Sequence, residues 1–290
     1  MTTFEILLQQ IGLFVIYILA GVILVRTKVL NRETLEPISK FVIKMALPVM
    51  IFINIIDGVN KEILTGSWSI LLIAAGFYAV MFLVSFGMMK FFHLSENRAG
   101  ICQAMMLFGN IGFMAVPVIS SVFPGNGILY VSVFMVFDQL MLWTLGVKLT
   151  TPTRSGGFEL KKLINPATVA ILIGMLLMLT GVRIPALLDT GLQKIGATAS
   201  PLAMIYIGGI FAELPLKKYL KELSLYGIVL VRMLLAPLLM FFVLGFFPVS
   251  AEIRLAMALI TGMPTMTAVV MMANASGMDG EYALGGVFIT

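Results

Sequence analysis

The sequence predicts an all-α membrane protein of ten helices, arranged as two inverted repeats of five, in which two helices are interrupted at proline. Hydrophobic residues make up 60% of the 290 residues and charged residues 11%, against roughly 25% charged residues in soluble domains. Apolar runs of about 20 residues, the length that crosses a bilayer, recur along the chain. Two of these runs, Ala99 to Phe123 and Ile253 to Ala275, are expected to be interrupted at glycine and proline near their centres. We therefore expect a polytopic membrane protein rather than a soluble one.

The chain contains nine apolar runs that are long enough to span a bilayer. These runs are Glu5 to Val25, Pro37 to Ile56, Ser67 to Phe92, Ala99 to Phe123, Gly127 to Val147, Asn165 to Val182, Leu187 to Ala212, Leu223 to Phe247 and Ile253 to Ala275. A tenth run starts near Tyr282 and reaches only Thr290, nine residues, which is too short to span. We expect the chain to stop within its tenth helix.

The loops between the runs differ in basic charge. Loops one, three, five and seven carry 12 Lys and Arg residues, and loops two, four, six and eight carry 3. Because basic loops stay in the cytoplasm, the N-terminus is predicted to lie outside the cell (inner or plasma) membrane. This clustering between apolar runs indicates orientation, and we expect no nucleic-acid partner.

The longest and most polar connection, 150–163, is predicted to be a cytoplasmic linker between a first repeat, 1–149, and a second, 164–290. Arg98 leads into the first interrupted run and Arg254 into the second, which is one of several weak correspondences between the halves. Five helices are an odd number, so the second half enters the membrane from the opposite side. This predicts an inverted repeat.

The first interruption lies in the stretch from Gly109 to Pro117 within the fourth run. Pro117 cannot donate a backbone hydrogen bond to the carbonyl of Phe113, and Gly109 and Gly112 loosen the preceding turns, so we expect the helix to open there. Open backbone at membrane depth is tolerated only against protein or a wet cavity.

The second interruption is Thr261-Gly262-Met263-Pro264-Thr265 in the ninth run. Two broken helices in corresponding halves indicate a transporter substrate site, with Pro117 and Pro264 expected to approach each other. Half-helix starts suit a carboxylate and half-helix carbonyl ends suit a cation.

Asp138 is the one acid near the centre of a predicted span. It is interpreted either as a site carboxylate that binds a cation or proton, or as the structural partner of Arg232, which also lies inside an apolar run. In either case its side chain should face the protein interior. Lys44, nearer a helix end, either snorkels to the membrane surface or lines the pathway.

The other polar candidates are Asn110, Gln139, Thr265 and Thr267, which could form hydrogen bonds between helices. Asn110 and Thr265 adjoin the interruptions and are therefore favoured as binding residues. The predicted substrate site comprises Gly109, Asn110, Ile111, Pro117, Asp138, Gln139, Pro264 and Thr265.

Enzyme chemistry is not indicated by these residues. An intramembrane enzyme would need paired acids, a serine with a base or a metal cluster, and the chain has one deep acid, one histidine and one cysteine. No Gly-x-x-x-x-Gly-Lys-Ser/Thr motif for ATP occurs. We expect neither a metal nor a cofactor, apart from a coupling Na⁺ or H⁺.

Several segments together carry a family resemblance. They are Ala46-Leu47-Pro48, the stretch from Gly109 to Pro117, Trp143-Thr144-Leu145-Gly146-Val147, Val231-Arg232-Met233 with Pro237, and Pro264 followed by Ala273 to Met278. In these segments, which cover nearly the whole chain, it resembles the auxin efflux carrier family, which includes plant auxin exporters and bacterial putative malate or malonate permeases.

The resemblance implies a ten-helix, elevator-type carrier whose fourth and ninth helices cross at their proline breaks. It further implies a scaffold of helices one, two, six and seven, a transport domain of the other six, and a homodimer formed through the scaffolds in the lipid bilayer. The implied substrates are small organic anions, such as malate, malonate or auxin-like acids. The alternative is a sodium- or proton-coupled carrier of the related bile-acid-symporter architecture, with Asp138 as the ion ligand.

Overall fold

The structure is a computed structural model that describes residues 3–58, 67–152, 165–213, 219 and 221–290. All regular elements in these ranges are helices. Most of the predicted linker, 150–163, lies outside the described residues.

The first half contains eight helical elements among the described residues, several of which join end to end. They are α1 (Thr3–Arg26), α2 (Arg32–Phe41), α3 (Leu47–Gly58), α4 (Trp68–Phe91), α5 (Glu96–Leu107), α6 (Val116–Val122), α7 (Gly127–Met141) and α8 (Val147–Leu149).

The second half has a similar succession of elements. They are α9 (Pro166–Thr180), α10 (Ala186–Ala197), α11 (Ala199–Glu213), α12 (Leu223–Ile228), α13 (Ala236–Leu244), α14 (Ala251–Thr261), α15 (Ala268–Ala275) and α16 (Gly280–Ile289).

Five helical stretches in the described ranges are long and apolar enough to cross a membrane. They are Glu33–Gly58, Trp68–Phe91, Gly127–Leu149, Ala186–Ala212 and Leu223–Leu244. Large apolar side chains such as Leu83 and Phe246 are exposed on the surface of the protein, as expected for contact with lipid. The predicted all-helical, multi-pass membrane protein is confirmed, whereas the ten-helix repeat and the division into scaffold and transport domains stay predictions.

Short π-helical segments join several of these elements: Val42–Ala46, Ile111–Ala115, Leu142–Gly146 and Val229–Leu235. Three of the four end two residues before a proline, at Pro48, Pro117 and Pro237. A proline removes the hydrogen bond to the carbonyl four residues back. At each of these sites, the residue before the proline donates to the carbonyl five residues back, as Val116 does to Ile111.

This geometry places the first break at the start of the predicted stretch from Gly109 to Pro117, and not at Pro117 itself. Around Pro117 the chain widens into a π-helical segment and remains helical, because the longer hydrogen bonds absorb the missing donor. The helix is instead interrupted at Phe108 to Asn110, between α5 and the segment Ile111–Ala115.

Two groups of helices pack closely. In the first, α1 lies along α11 and α3 lies against α9 and α10. A Cβ atom added to Gly21 would lie 2.0 Å from the carbonyl oxygen of Ile205, and one added to Gly208 would lie 2.0 Å from that of Ile18. The backbones of α1 and α11 are therefore in direct contact, as glycine allows between membrane helices.

In the second group, α4 packs against α5 and α7, α13 against α14, and α15 against α16. Arg98 joins α5 and α16 of this group to α12 at one end. Its Nε donates to Asp279 Oδ2 at 2.8 Å and its Nη1 donates to Glu222 Oε1 at 3.0 Å. These ion pairs connect α5 to the starts of α12 and α16.

Candidate functional site

The two interrupted helices meet at their breaks. Phe108 to Asn110 runs antiparallel to Pro264 to Met266, and we call this pair of segments the crossing. The amide of Asn110 donates to the carbonyl oxygen of Pro264 at 2.8 Å, and the amide of Met266 donates to that of Phe108 at 3.0 Å. Each interruption thus supplies hydrogen-bond partners for groups that the other leaves free.

The first interruption is a tight local turn. Asn110 has φ −77° and ψ 59°, and the amide of Ile111 donates to the carbonyl oxygen of Gly109 at 2.8 Å. This is an inverse γ-turn, which redirects the chain within three residues. Buried Ile111 then begins the π-helical segment that leads to α6.

Arg232 lies at the crossing, where its guanidinium binds two carbonyl groups at broken helix ends. Its Nε donates to the carbonyl oxygen of Met263 at 2.9 Å, and its Nη1 donates to that of Met106. The carbonyl of Met106 is free because the amide of Asn110, its helical partner, is bonded to Pro264. A cation at the C-terminal ends of helices is favourable because these ends carry partial negative charge.

Gly109 makes room for this guanidinium. A Cβ atom at Gly109 would lie 2.1 Å from Arg232 Nη2, so no larger residue fits without displacing the arginine. Among the described residues, none accepts a hydrogen bond from Nη2. The crossing therefore presents one edge of a buried guanidinium that has no acceptor in the part of the protein that the structure describes.

The side chains of Asn110 and Thr265 are both buried at the crossing. Asn110 Oδ1 has no hydrogen-bond partner among the described residues, although the backbone amide of Asn110 is bonded across the break. Thr265 Oγ1 donates to the carbonyl oxygen of Met105 at 3.4 Å. Thr267 Oγ1 is likewise buried without a partner in the described part of the chain.

Asp138 is completely buried in α7 and accepts hydrogen bonds on both carboxylate oxygens. Tyr78 of α4 donates its hydroxyl proton to Oδ1, and Gln139 Nε2 donates to Oδ2 at 2.9 Å. Gln139 Oε1 in turn accepts from Trp143 Nε1 at 3.3 Å. The carboxylate therefore lies in a connected chain of side-chain hydrogen bonds, which fixes its orientation toward the interior.

The ring of Tyr78 connects this chain to the crossing. Its centroid lies 5.8 Å from that of Phe108 and 5.6 Å from that of Phe137. Among the described residues, Asp138 and Arg232 form no direct ion pair, although they interact electrostatically over a longer distance. The guanidinium contacts helix-end carbonyls, so the simple structural-pair interpretation of Asp138 does not describe this arrangement.

The remaining predicted residues are less centrally placed. Pro264 is part of the crossing, whereas Pro117 follows the π-helical segment in the first turn of α6, seven residues after Asn110. Pro264 accepts a hydrogen bond from the amide of Asn110, and the predicted approach of Pro117 and Pro264 stays a prediction. Lys44 is exposed in the segment Val42–Ala46, which leaves both of its interpretations open.

Sequence reasoning missed Tyr78 and Phe108. Tyr78 lies in the middle of α4 and is buried, as is Asp138. A tyrosine hydroxyl inside an apolar run needs a hydrogen-bond partner, and this need could have indicated Tyr78 as a partner of Asp138. Phe108 carried no such signal, because a phenylalanine in an apolar run is ordinary.

Comparison with known proteins identifies a family for this chain. A family model described as membrane transport protein matches residues 6–158 and 153–290. The chain is similar to the uncharacterized transporter YfdV of Escherichia coli strain K12, with 24% identity over 208 residues, which cover 67% of this chain and 65% of the relative. The same values hold for YfdV of Escherichia coli O157:H7 and of Shigella flexneri. The match spans somewhat less than two thirds of these curated relatives.

The family match and the membrane-spanning helices together identify the family and the class of protein. The family model covers nearly the whole chain, and the relatives are described as transporters. The resemblance inferred from the sequence motifs is thereby confirmed. The chain is a multi-pass membrane protein and belongs to the membrane transport protein family.

Proposed function

We propose that this protein carries small organic anions, carboxylates such as malate, malonate or auxin-like acids, by alternating access around the crossing. The observation that carries the proposal is Arg232, a buried cation whose Nη2 edge has no acceptor among the described residues. Arginine binds carboxylates through paired N–H donors, and such charge-assisted hydrogen bonds are stronger than neutral ones. A carboxylate is the chemical group that matches this edge.

The backbone around Arg232 favours the same charge. The segment Ile111–Ala115 and the helix α15 both start beside the crossing, so their first amides add partial positive charge. Broken helices with this arrangement direct half-helix starts at anionic groups of transported substrates. Thr265 and Asn110 add neutral polar groups for orienting a bound anion.

Burial of these groups supports a mechanism that requires movement. Asn110, Asp138, Arg232 and Thr265 are each at most 3% exposed. A substrate from solution reaches them only after helices separate, which is the behaviour of an alternating-access carrier. In our proposal the first group of packed helices, with the backbone contact between α1 and α11, is the static and homodimeric scaffold, and the second group moves.

The orientation follows from the loop charges. In the proposed arrangement the N-terminus is outside the cell membrane and the basic loops are in the cytoplasm. Arg98 then lies at the cytoplasmic end of the crossing helices and Arg254 at the external end.

Purified protein in liposomes tests the proposal with a panel of carboxylates and their neutral amides. We expect uptake of at least one carboxylate and none of its amide. The variant Arg232→Lys keeps the charge but loses the planar pair of donors, and it should weaken carboxylate binding about 10- to 100-fold, the loss of roughly 1.5–3 kcal/mol for a charged hydrogen bond. Arg98→Lys, which changes an arginine outside the crossing, is the matched control. Equal transport of acid and amide would overturn the proposal.

A further inference from the structure

We propose that Asp138 and Tyr78 together form the coupling site of this carrier and that the coupling ion is a proton, taken up by Asp138 when the anion binds. This inference rests on the proposed function, since it requires an anion at Arg232. It identifies which ion accompanies the substrate and adds Tyr78 as a residue of the site.

The hydrogen bonds around Asp138 favour a proton over a metal cation. Both carboxylate oxygens already face donors, Tyr78 on Oδ1 and Gln139 on Oδ2. A sodium ion would have to displace a donor and would then find a proton-bearing group where it needs an oxygen lone pair. A proton can join the same arrangement without new ligands.

The two donors differ in their ability to adapt. Gln139 is held by Trp143, which donates to Gln139 Oε1, so turning the amide over would lose that bond as well. The Tyr78 hydroxyl can act as donor or acceptor. A proton arriving from water on the open side therefore forms a bond with Oδ1, while Tyr78 keeps its own proton, rotates about its C–O bond and becomes the acceptor.

The charge of Asp138 is coupled to the anion through Arg232. Tyr78 from α4 and Arg232 from the segment Val229–Leu235 are the titratable or charged groups that interact with Asp138 among the described residues. Ionised Asp138 partly compensates the buried guanidinium. When Asp138 is protonated, the positive charge of Arg232 is uncompensated and attracts an anion more strongly, because charges interact strongly in a buried site.

This coupling is reciprocal. A proton on Asp138 must raise the affinity for the anion by the same factor as the anion raises the affinity for the proton. Departure of the proton on the other side of the membrane restores the balance between Asp138 and Arg232 and favours release of the anion. Anion and proton then cross together.

Malonate binding to the purified full chain, measured across a range of pH and corrected for the protonation of malonate itself, tests the inference. We expect affinity to fall by up to about tenfold per pH unit above the pKa of Asp138, with uptake of one proton per malonate bound. Asp138→Asn, which resembles the protonated acid, should bind tightly at every pH.

Two tyrosine variants provide a matched comparison. Tyr78→Phe removes the adaptable hydroxyl and should change the pH at which affinity falls. Tyr282→Phe removes an equally buried hydroxyl, which donates to Ser224 Oγ at 2.8 Å, and should leave the pH profile unchanged. An identical effect of both variants would overturn the role of Tyr78.

The outcomes for the anion and for the proton are separable. Tight malonate binding that is independent of pH, or that depends on sodium, would overturn proton coupling and leave the anion proposal intact. If no carboxylate binds, the proposed function fails.

Infrared spectroscopy still tests Asp138 in that case, because its protonated C=O band should appear on acidification, shift in Tyr78→Phe and be absent from Asp138→Asn. Absence of such a band from the wild-type protein would overturn the proton site.

Discussion

The two interruptions at the crossing are stabilised in different ways. The first turns within one γ-turn at Asn110 and continues as a π-helical segment, so a local backbone bond shapes it in addition to its two bonds with Pro264 and Met266. The second extends from Gly262 to Thr267 and depends on distant groups: Arg232 binds the carbonyl of Met263, and Thr290 Oγ1 accepts from the amide of Thr265 at 3.2 Å. Similar sequence positions therefore do not imply similar sources of stability.

The two outer ends of the crossing helices differ as well. Gly109 and Thr265, which face each other, are 156 positions apart in the sequence. Arg98 and Arg254 have the same separation, so Arg254 occupies the position in the second crossing helix that corresponds to Arg98 in the first. Arg98 makes two ion pairs, whereas Arg254 stacks 4.2 Å from the ring centroid of Phe241 and its Nε has no partner among the described residues. The end at Arg98 is therefore held by ion pairs, whereas the end at Arg254 is held by a cation–π contact.

The largest expected effect is loss of Arg232, since the second interruption depends on it. Arg232→Met leaves the carbonyls of Met106 and Met263 buried without donors, at about 1–3 kcal/mol each. Arg98→Met removes partly exposed ion pairs, and we expect a loss of about 1 kcal/mol or less. Thermal unfolding of the two variants in the same detergent measures the difference. Equal destabilisation by the two substitutions would contradict the claim that Arg232 at the crossing stabilises the fold more than Arg98 does at the end of the crossing helices.

A substitution at Gly109 tests whether the absence of a side chain there is required for the Arg232 guanidinium to fit. Gly109→Ala places a Cβ atom 2.1 Å from Arg232 Nη2, and we expect a loss of about 1–3 kcal/mol together with loss of transport. Gly112→Ala is the matched control, because its Cβ atom would lie 3.5 Å from Met50 Cε, an ordinary contact. Unfolding and uptake assays should separate the two variants, and similar behaviour would show that the arginine adapts.

The sequence predicted the helices well because burial of apolar side chains and the length of a bilayer set strong constraints. It predicted the first break within the stretch from Gly109 to Pro117 but assigned it too large a contribution from Pro117, because a proline removes a hydrogen bond without determining how the chain compensates. A π-helical segment absorbed that loss at Pro117, whereas the actual break at Phe108 to Asn110 depends on Pro264 and Met266, more than 150 positions away.

The candidate site was predictable in part for a similar reason. Asp138 and Arg232 are identifiable in a sequence, because a charge inside an apolar run is costly and needs a function or a partner. Their contacts are not identifiable in this way. Arg232 binds backbone carbonyls of Met106 and Met263, and every residue has such a carbonyl, so no side-chain pattern marks them.

The side chain of Asn110 is expected to matter for binding more than for folding. Its backbone holds the crossing, and its Oδ1 has no partner in the described part of the protein, so Asn110→Ala removes no protein hydrogen bond from that atom. We expect nearly unchanged thermal stability and substrate affinity weakened by roughly 1–3 kcal/mol. Melting temperature and affinity are measured on the same purified variant. Reduced stability with wild-type affinity would remove Asn110 from the site.

The smallest expected effect concerns the charged end of the crossing helices. Asp279 accepts from the amide of Tyr282 at 2.9 Å as the N-cap of α16 and also binds Arg98. Asp279→Asn keeps an N-cap acceptor, because asparagine is an equally good cap, and removes only the charge. Asn126 occupies the N-cap position of α7 at the other end, so the variant makes the two ends alike.

We expect Asp279→Asn to lose about 0.2–1 kcal/mol at low salt, the range of partly exposed ion pairs. Salt screens the wild-type pair, so the difference between variant and wild type should shrink as ionic strength rises. Unfolding temperatures across a salt series measure this, with Arg254→Gln as a control that removes a cation without breaking an ion pair between described residues. If the difference in unfolding temperature between Asp279→Asn and the wild type persists at high salt, Asp279 acts through its cap and packing. The ends at Arg98 and Arg254 would then differ in side-chain packing more than in electrostatic interactions.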